Sequence, residues 1–272
     1  MSYDRRSFLG TIPVGIGLAM IPQKSVKPPA PGEKRPSPIH ELYPSADYKV
    51  VKELVGASHG NFERVKEIVS AQPELSKAGW DWGFGDWETA LGAASHMGRA
   101  DIAQFLIDHG ARPNLFTLAM LGHLEVVKAT LAADAKLASQ PGPHGITLLS
   151  HAKAGGEAAA KVAAYLGERG DADPKVKELE LSDEQKKLYV GRYQFHDGEQ
   201  DYFVVELNRR GYLSIKRAGA DFGRTLLYVE ENSFAPAGAN AVRVRFQFQR
   251  GSVLALSIHD PEPIVGARRL AD

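Results

Sequence analysis

Nine histidines and no cysteine set the chemistry this chain offers. His59, His96, His109, His123, His144 and His151 fall in one stretch, and imidazoles serve as metal ligands or general bases. The absence of cysteine excludes disulfides, thiolate nucleophiles, thiolate metal sites and a lipid-modified cysteine. Ser150 and Lys153 have the Ser-x-x-Lys spacing of an acyl-transfer nucleophile. They sit in a helical run without companion motifs, so the spelling reads as coincidence. Glu199 and Asp201, with His196 and His259, supply the groups an acid–base pocket would need, but their spacing does not demand one. The sequence has no Gly-rich phosphate loop, His-Glu-x-x-His helix or Gly-x-Ser-x-Gly elbow. Neither an enzyme nor a cofactor is expected.

Aromatics give the sharper signal. Gly79-Trp80-Asp81-Trp82-Gly83-Phe84-Gly85-Asp86-Trp87 holds all three tryptophans of the chain. In an extended segment Trp80, Trp82 and Phe84 share one side. Such a loop provides anchors for a protein partner, so Trp80, Trp82, Phe84 and Trp87 are the candidate contact residues. The competing expectation is that the rings fold down and fill a gap.

The elements that position this loop read as short helices. Leu91 and Ala94 precede Gly98, and Ile102, Phe105 and Leu106 follow it at helical spacing. A similar turn recurs at Gly60, Gly122 and Gly156, with spacings of 38, 24 and 34 residues. One hairpin cannot bury its own apolar faces, so neighbours of the same kind are required. Thr89, Leu91, Ala94 and Gly98 fall where the ankyrin-repeat pattern puts Thr, Leu, Ala and Gly, with Ala90 and Gly92 replacing its proline and histidine. Gly122 to Lys128 matches the start of the second helix, and Gly110-Ala111-Arg112-Pro113-Asn114 the closing turn. Over about 130 residues the chain thus resembles the ankyrin family, whose period is about 33 residues. The resemblance implies about four repeats in an α-solenoid that binds protein on its concave face. It also implies a lengthened finger before Thr89 and a lost finger in the third repeat. Histidines beside the turns, His59, His96 and His123, are then expected to bond backbone and tie neighbours together. No metal site is expected.

The ends differ in character. Arg5-Arg6-Ser7-Phe8-Leu9 precedes the uncharged run Thr11 to Ile21 and resembles a twin-arginine export signal, with Asp4 and Gly10 as departures. The run is shorter than a bilayer span requires. Residues 22–44 contain seven of the 16 prolines and read as an extended linker. The resemblance implies an exported, periplasmic or extracytoplasmic protein, tethered to the membrane only if the signal stays uncleaved. With 33 basic and 33 acidic residues the chain has no net charge, so no nucleic acid partner is expected.

After Pro174 the period changes to two. Ser182 and Gln185 form a capping box for a short helix. Strands are expected near Tyr189 to Phe195, Tyr202 to Leu207, Tyr212 to Arg217, Thr225 to Glu230, Val242 to Gln249, Val253 to His259 and Ile264 to Arg269. They form an antiparallel meander, curved or closed into a small barrel. Leu188-Tyr189-Val190-Gly191-Arg192-Tyr193 resembles the opening of accessory β-domains of β-lactamase-like hydrolases, often lipocalin-like in shape. That resemblance leaves room for a small apolar ligand among Phe195, Tyr202, Phe203, Tyr212 and Phe246, against a solid core as the plainer alternative. The division is then 1–21 signal, 22–44 linker, 45–174 repeats and 175–272 β-domain, an α+β multidomain chain.

Overall fold

The computed structural model describes residues 42–220 and 222–271. The segment expected to be an export signal, and the expected linker before Leu42, lie outside them.

Helices come in consecutive pairs: α1 (Tyr48–Ala57) with α2 (Phe62–Ala71), α3 (Ala90–His96) with α4 (Ala100–Asp108), α5 (Leu115–Met120) with α6 (Leu124–Ala133), and α7 (Leu148–Ala154) with α8 (Ala160–Arg169). The first helix of each pair packs on the first helix of the next. Their starts are capped by short polar side chains: Asp47, Thr89, Asn114 and Thr147 each accept from a backbone N–H of the first turn. Two buried apolar clusters run through the pairs, one around Leu54, Val65, Ile102 and Leu106 and one around Leu131, Leu148, Val162 and Leu166.

Two short strands, β1 (Gly79–Asp81) and β2 (Trp87–Thr89), form the finger before α3. They pair antiparallel with Trp80 opposite Glu88. Strand geometry ends at Asp81. Gly83, Phe84 and Gly85 all take positive φ at the tip, so the finger closes sharply and does not present one extended aromatic face.

Helix α9 (Asp183–Tyr189) carries the expected capping box, with Ser182 and Gln185 bonded reciprocally. It leads into β3 (Gly191–Gln194), β4 (Tyr202–Leu207), β5 (Leu213–Arg217), β6 (Arg224–Glu230), β7 (Ser233–Pro236), β8 (Arg243–Gln249), β9 (Ser252–Asp260) and β10 (Glu262–Arg269). These close into an antiparallel barrel in which β10 returns to β3. β7 is the strand that the alternation did not reveal. All four of its residues are buried, so it has no polar face to mark a period of two.

The barrel interior is filled by Tyr193, Ile215, Phe234, Val244, Phe246 and Leu256, as an eight-stranded barrel allows. Of the residues proposed to line a cavity, Phe246 is in this core, Phe195 and Phe203 pack at its edge, and Tyr212 is exposed. A pocket of about 460 Å³ lies between Leu179 and Leu181 of the incoming chain and Leu213, Leu226, Tyr228 and Phe234, side chains of the barrel's core cluster. Among the described residues no helix is long and apolar enough to cross a membrane.

Candidate metal centre

Strand β2 alternates, so Trp87 and Thr89 face outward and Glu88 faces in. The Glu88 carboxylate is fully buried. A charge removed from water this completely must be compensated locally. Trp82 Nε1 donates to its Oε2 at 2.7 Å. Three imidazoles surround the rest. His59 Nε2 lies 3.4 Å from Oε2, while His96 Nε2 and His144 Nε2 lie 2.9 and 3.2 Å from Oε1.

Each imidazole is delivered by a different element. His96 ends α3, directly after the strand that carries Glu88. His59 sits in the turn after α1, where its Nδ1 donates to the Val55 and Gly56 carbonyls at 3.2 and 3.1 Å. That bond places the proton on Nδ1 and leaves the Nε2 lone pair facing Glu88. His144 occupies the short turn Pro143–Gly145 with φ of 60°, a conformation uncommon outside glycine. Asp86 holds it there. The His144 backbone N–H donates to Asp86 Oδ1 at 2.8 Å and Nδ1 donates to Oδ2 at 2.7 Å. Arg224 on β6 donates to the same Asp86 oxygen, tying the barrel to the site. Arg224 Nη1 also lies 3.2 Å from His144 Nδ1, but the closer carboxylate decides where the ring proton sits.

One donor atom from each of His59, Glu88, His96 and His144 falls within 4.8 Å of the others. Four ligands at zinc bond lengths of about 2.0–2.1 Å stand roughly 3.3 Å apart in a tetrahedron; His96 and His144 Nε2 stand 2.9 and 3.2 Å from Glu88 Oε1, while His59 Nε2 comes nearest to the other oxygen, at 3.4 Å. Two of the atoms, Glu88 Oε1 and His96 Nε2, are buried yet form no aligned hydrogen bond with each other or any other group. Close approach without alignment is what lone pairs show when they point at a shared centre.

Electrostatics favour a cation there. Burial pushes Glu88 up, but the His144, His96 and His59 imidazoles crowded against its carboxylate hold it at about 2. Burial pulls His144 down, but its bond to Asp86 and the negative charge of Glu88 beside it outweigh this and raise it to about 9. Asp86, pushed up by burial, is brought below the usual carboxylate range by His144 and Arg224. A proton on His144 thus plays the cation's part, and a metal ion must displace it. Burial drives His151 down to about 4 and keeps it neutral; its Nδ1 meets the Thr147 carbonyl at 2.9 Å, its Nε2 has no partner, and its ring lies 6.3 Å from that of His96.

Of the aromatic candidates, Trp82 reaches this centre. Trp80 and Trp82 pack against the helical core, with Trp82 also bonded to Glu88. Phe84 packs against the barrel core, and Trp87 remains 67% exposed. Of the acid–base candidates, His196 meets Asp201 only through the backbone, its N–H 3.4 Å from the Asp201 carbonyl, while the Asp201 carboxylate pairs with Arg217 and His259 with the Ser257 hydroxyl. The expected backbone bonds exist at His59, but its other nitrogen joins the cluster. Nothing in the sequence singled out Glu88. Its signal was the alternation Trp87-Glu88-Thr89, which turns one acid inward beside a helix cap.

The ankyrin-repeat family model matches residues 86–118, the stretch that carries Asp86, Glu88 and His96. A search of the curated proteins found no match. Among solved structures, the chain is similar to "Crystal structure of SurE with D-Leu" at 22% identity and a TM-score of 0.26, covering 43% of this chain and 28% of that one. It is similar to "Crystal structure of SurE" at 21% identity and 0.26, covering 43% and 27%. It therefore spans under a third of the length of either.

Proposed function

We propose that this protein is an exported binding module that holds one divalent transition-metal ion, of the zinc class, through His59, Glu88, His96 and His144. The carrying observation is the convergence of four donors from four elements on one buried point, with two of them lacking aligned hydrogen-bond partners. Three imidazoles and one carboxylate suit borderline ions, not calcium or magnesium. Asp86 takes the supporting role, orienting His144 through its second nitrogen. The function is binding and not turnover. Glu88 is consumed as a ligand, and Asp86 is tied to His144 and Arg224, so neither serves as a general base. Zn2+ titration of chelator-stripped protein against a chromophoric competitor tests the assignment. One ion per chain is expected, with at least about a hundredfold weaker binding in Glu88→Gln and His96→Ala. Saturation unchanged in both folded variants would dismiss the centre.

Ankyrin repeats in general mediate protein interaction, and one observation favours that reading as a second role: Trp87 stays 67% exposed beside the metal centre. Capture of a partner from an envelope fraction should then fail with Trp87→Ala. Export rests on the resemblance of Arg5-Arg6-Ser7-Phe8-Leu9 to a twin-arginine signal. A reporter fused after residue 44 should leave the cytoplasm, and Arg5→Lys with Arg6→Lys should retain it.

A further inference from the structure

The four donors are not equally enclosed. The side chains of Glu88 and His96 are 0% and 7% exposed, whereas His59 and His144 are 30% and 23% exposed. The inner pair closes the centre from behind, and the outer pair faces a cleft of about 360 Å³. That size suits a small molecule. The His59 and His144 rings, 23° from parallel with centroids 6.2 Å apart, flank its entrance. Trp82 and Phe222 supply apolar walls, and Gly56 leaves space beside the Trp82 ring unfilled. Phe222 is 82% exposed, an aromatic ring with one face unused. Arg224 lies at the inner end.

Charge decides what kind of head group belongs there. Asp86 is balanced by Arg224, and Glu88 cancels only one of the two charges of a divalent ion. The loaded centre is left with one net positive charge at the bottom of an apolar cleft, where electrostatic attraction is strong. Building on the metal assignment, we propose that this cleft binds a small carboxylate with a flat apolar body. The carboxylate joins the four protein donors as a fifth ligand of the metal, and the body lies between Trp82 and Phe222.

Cobalt-substituted full-length protein tests this, because its visible absorption reports a ligand entering the coordination sphere without any activity assay. The probes are acetate, which is head group alone, and phenylacetate, which adds the flat body. Both should change the spectrum, phenylacetate at about tenfold lower concentration or better, since an aromatic ring buried between aromatic walls contributes that much. Gly56→Leu fills the cleft from α1 at a position where a helix accepts leucine readily. It should abolish the advantage of phenylacetate while keeping the response to acetate, and Phe222→Ala should reduce it. A cobalt spectrum that neither anion alters means a closed site and overturns the proposal alone. Equal response to both anions, or an advantage untouched by Gly56→Leu, removes the apolar body from it. Failure to form any cobalt spectrum overturns the metal assignment and this proposal with it.

Discussion

Asp86 touches no metal in the proposed arrangement, yet it holds His144 by both its backbone and its ring. A carboxylate behind a ligating imidazole fixes the ring and raises its basicity. Asp86→Asn keeps the shape and removes the charge. Zinc affinity should fall by about 10- to 100-fold while the other donors stay in place, read by the same competition titration. This level of detail was the least legible from sequence. His59 and His96 stand beside turns, where imidazole-to-backbone bonds account for them, and His59 does make such bonds. That leaves a second ring nitrogen free for other use, and its direction depends on where Glu88 and His144 arrive from elsewhere in the chain. Residue 144 lies 56 positions beyond residue 88, a separation no local pattern can bridge.

At the scale of elements, spacing carried more. The glycines at 98, 122 and 156 sit at turns, as the recurrence predicted, and there take positive φ, which Gly60 does not. Gly98 has φ of 67°, and a Cβ there would overlap the Ala154 carbonyl. Gly98→Ala therefore combines a left-handed alanine with a steric clash and should cost about 2 kcal/mol or more. Gly110, at φ of 98° with nothing within 4 Å, should cost only about 1 kcal/mol on the same change. Urea midpoints of the two variants measure the difference, and equal losses would deny the close approach of the two turns. In the barrel, burial raises Tyr189 and Tyr193 to about 12. Tyr193 donates to the Tyr189 carbonyl at 2.6 Å and Tyr189 to Asn232 at 3.0 Å. Their stabilisation is present below the ordinary tyrosine value of about 10 and is lost as pH rises through 12. Tyr193→Phe should flatten the alkaline fall in unfolding free energy, since phenylalanine has no proton to lose.

For the whole molecule, the finger is one place where helices and barrel are joined. Asp86 belongs to the finger, His144 to a turn before α7 and Arg224 to the barrel, and all three meet in one hydrogen-bonded group. Gly238 of the barrel presses against His144 and Asp86 so closely that a Cβ would sit about 3 Å from both. The sequence made both halves readable, because a helical period and a period of two are each local. It did not reveal the joint, because the finger's length shows only that something unusual is accommodated. The ligands come from several elements of one packed unit, so an ion bound there stabilises the native state and not the unfolded chain. At a hundred times its dissociation constant the ion contributes about 2.7 kcal/mol. For a folded region of this size that raises the thermal midpoint by roughly 5–10 °C. Tryptophan fluorescence reports the finger, which holds all three tryptophans, while tyrosine signals such as those of Tyr189 and Tyr193 report the barrel. With zinc both should shift upward together, and in Glu88→Gln neither should move. If the tryptophan transition rises while the barrel's stays put, the contact through Arg224 does not couple the two halves, and the centre serves the helical half alone.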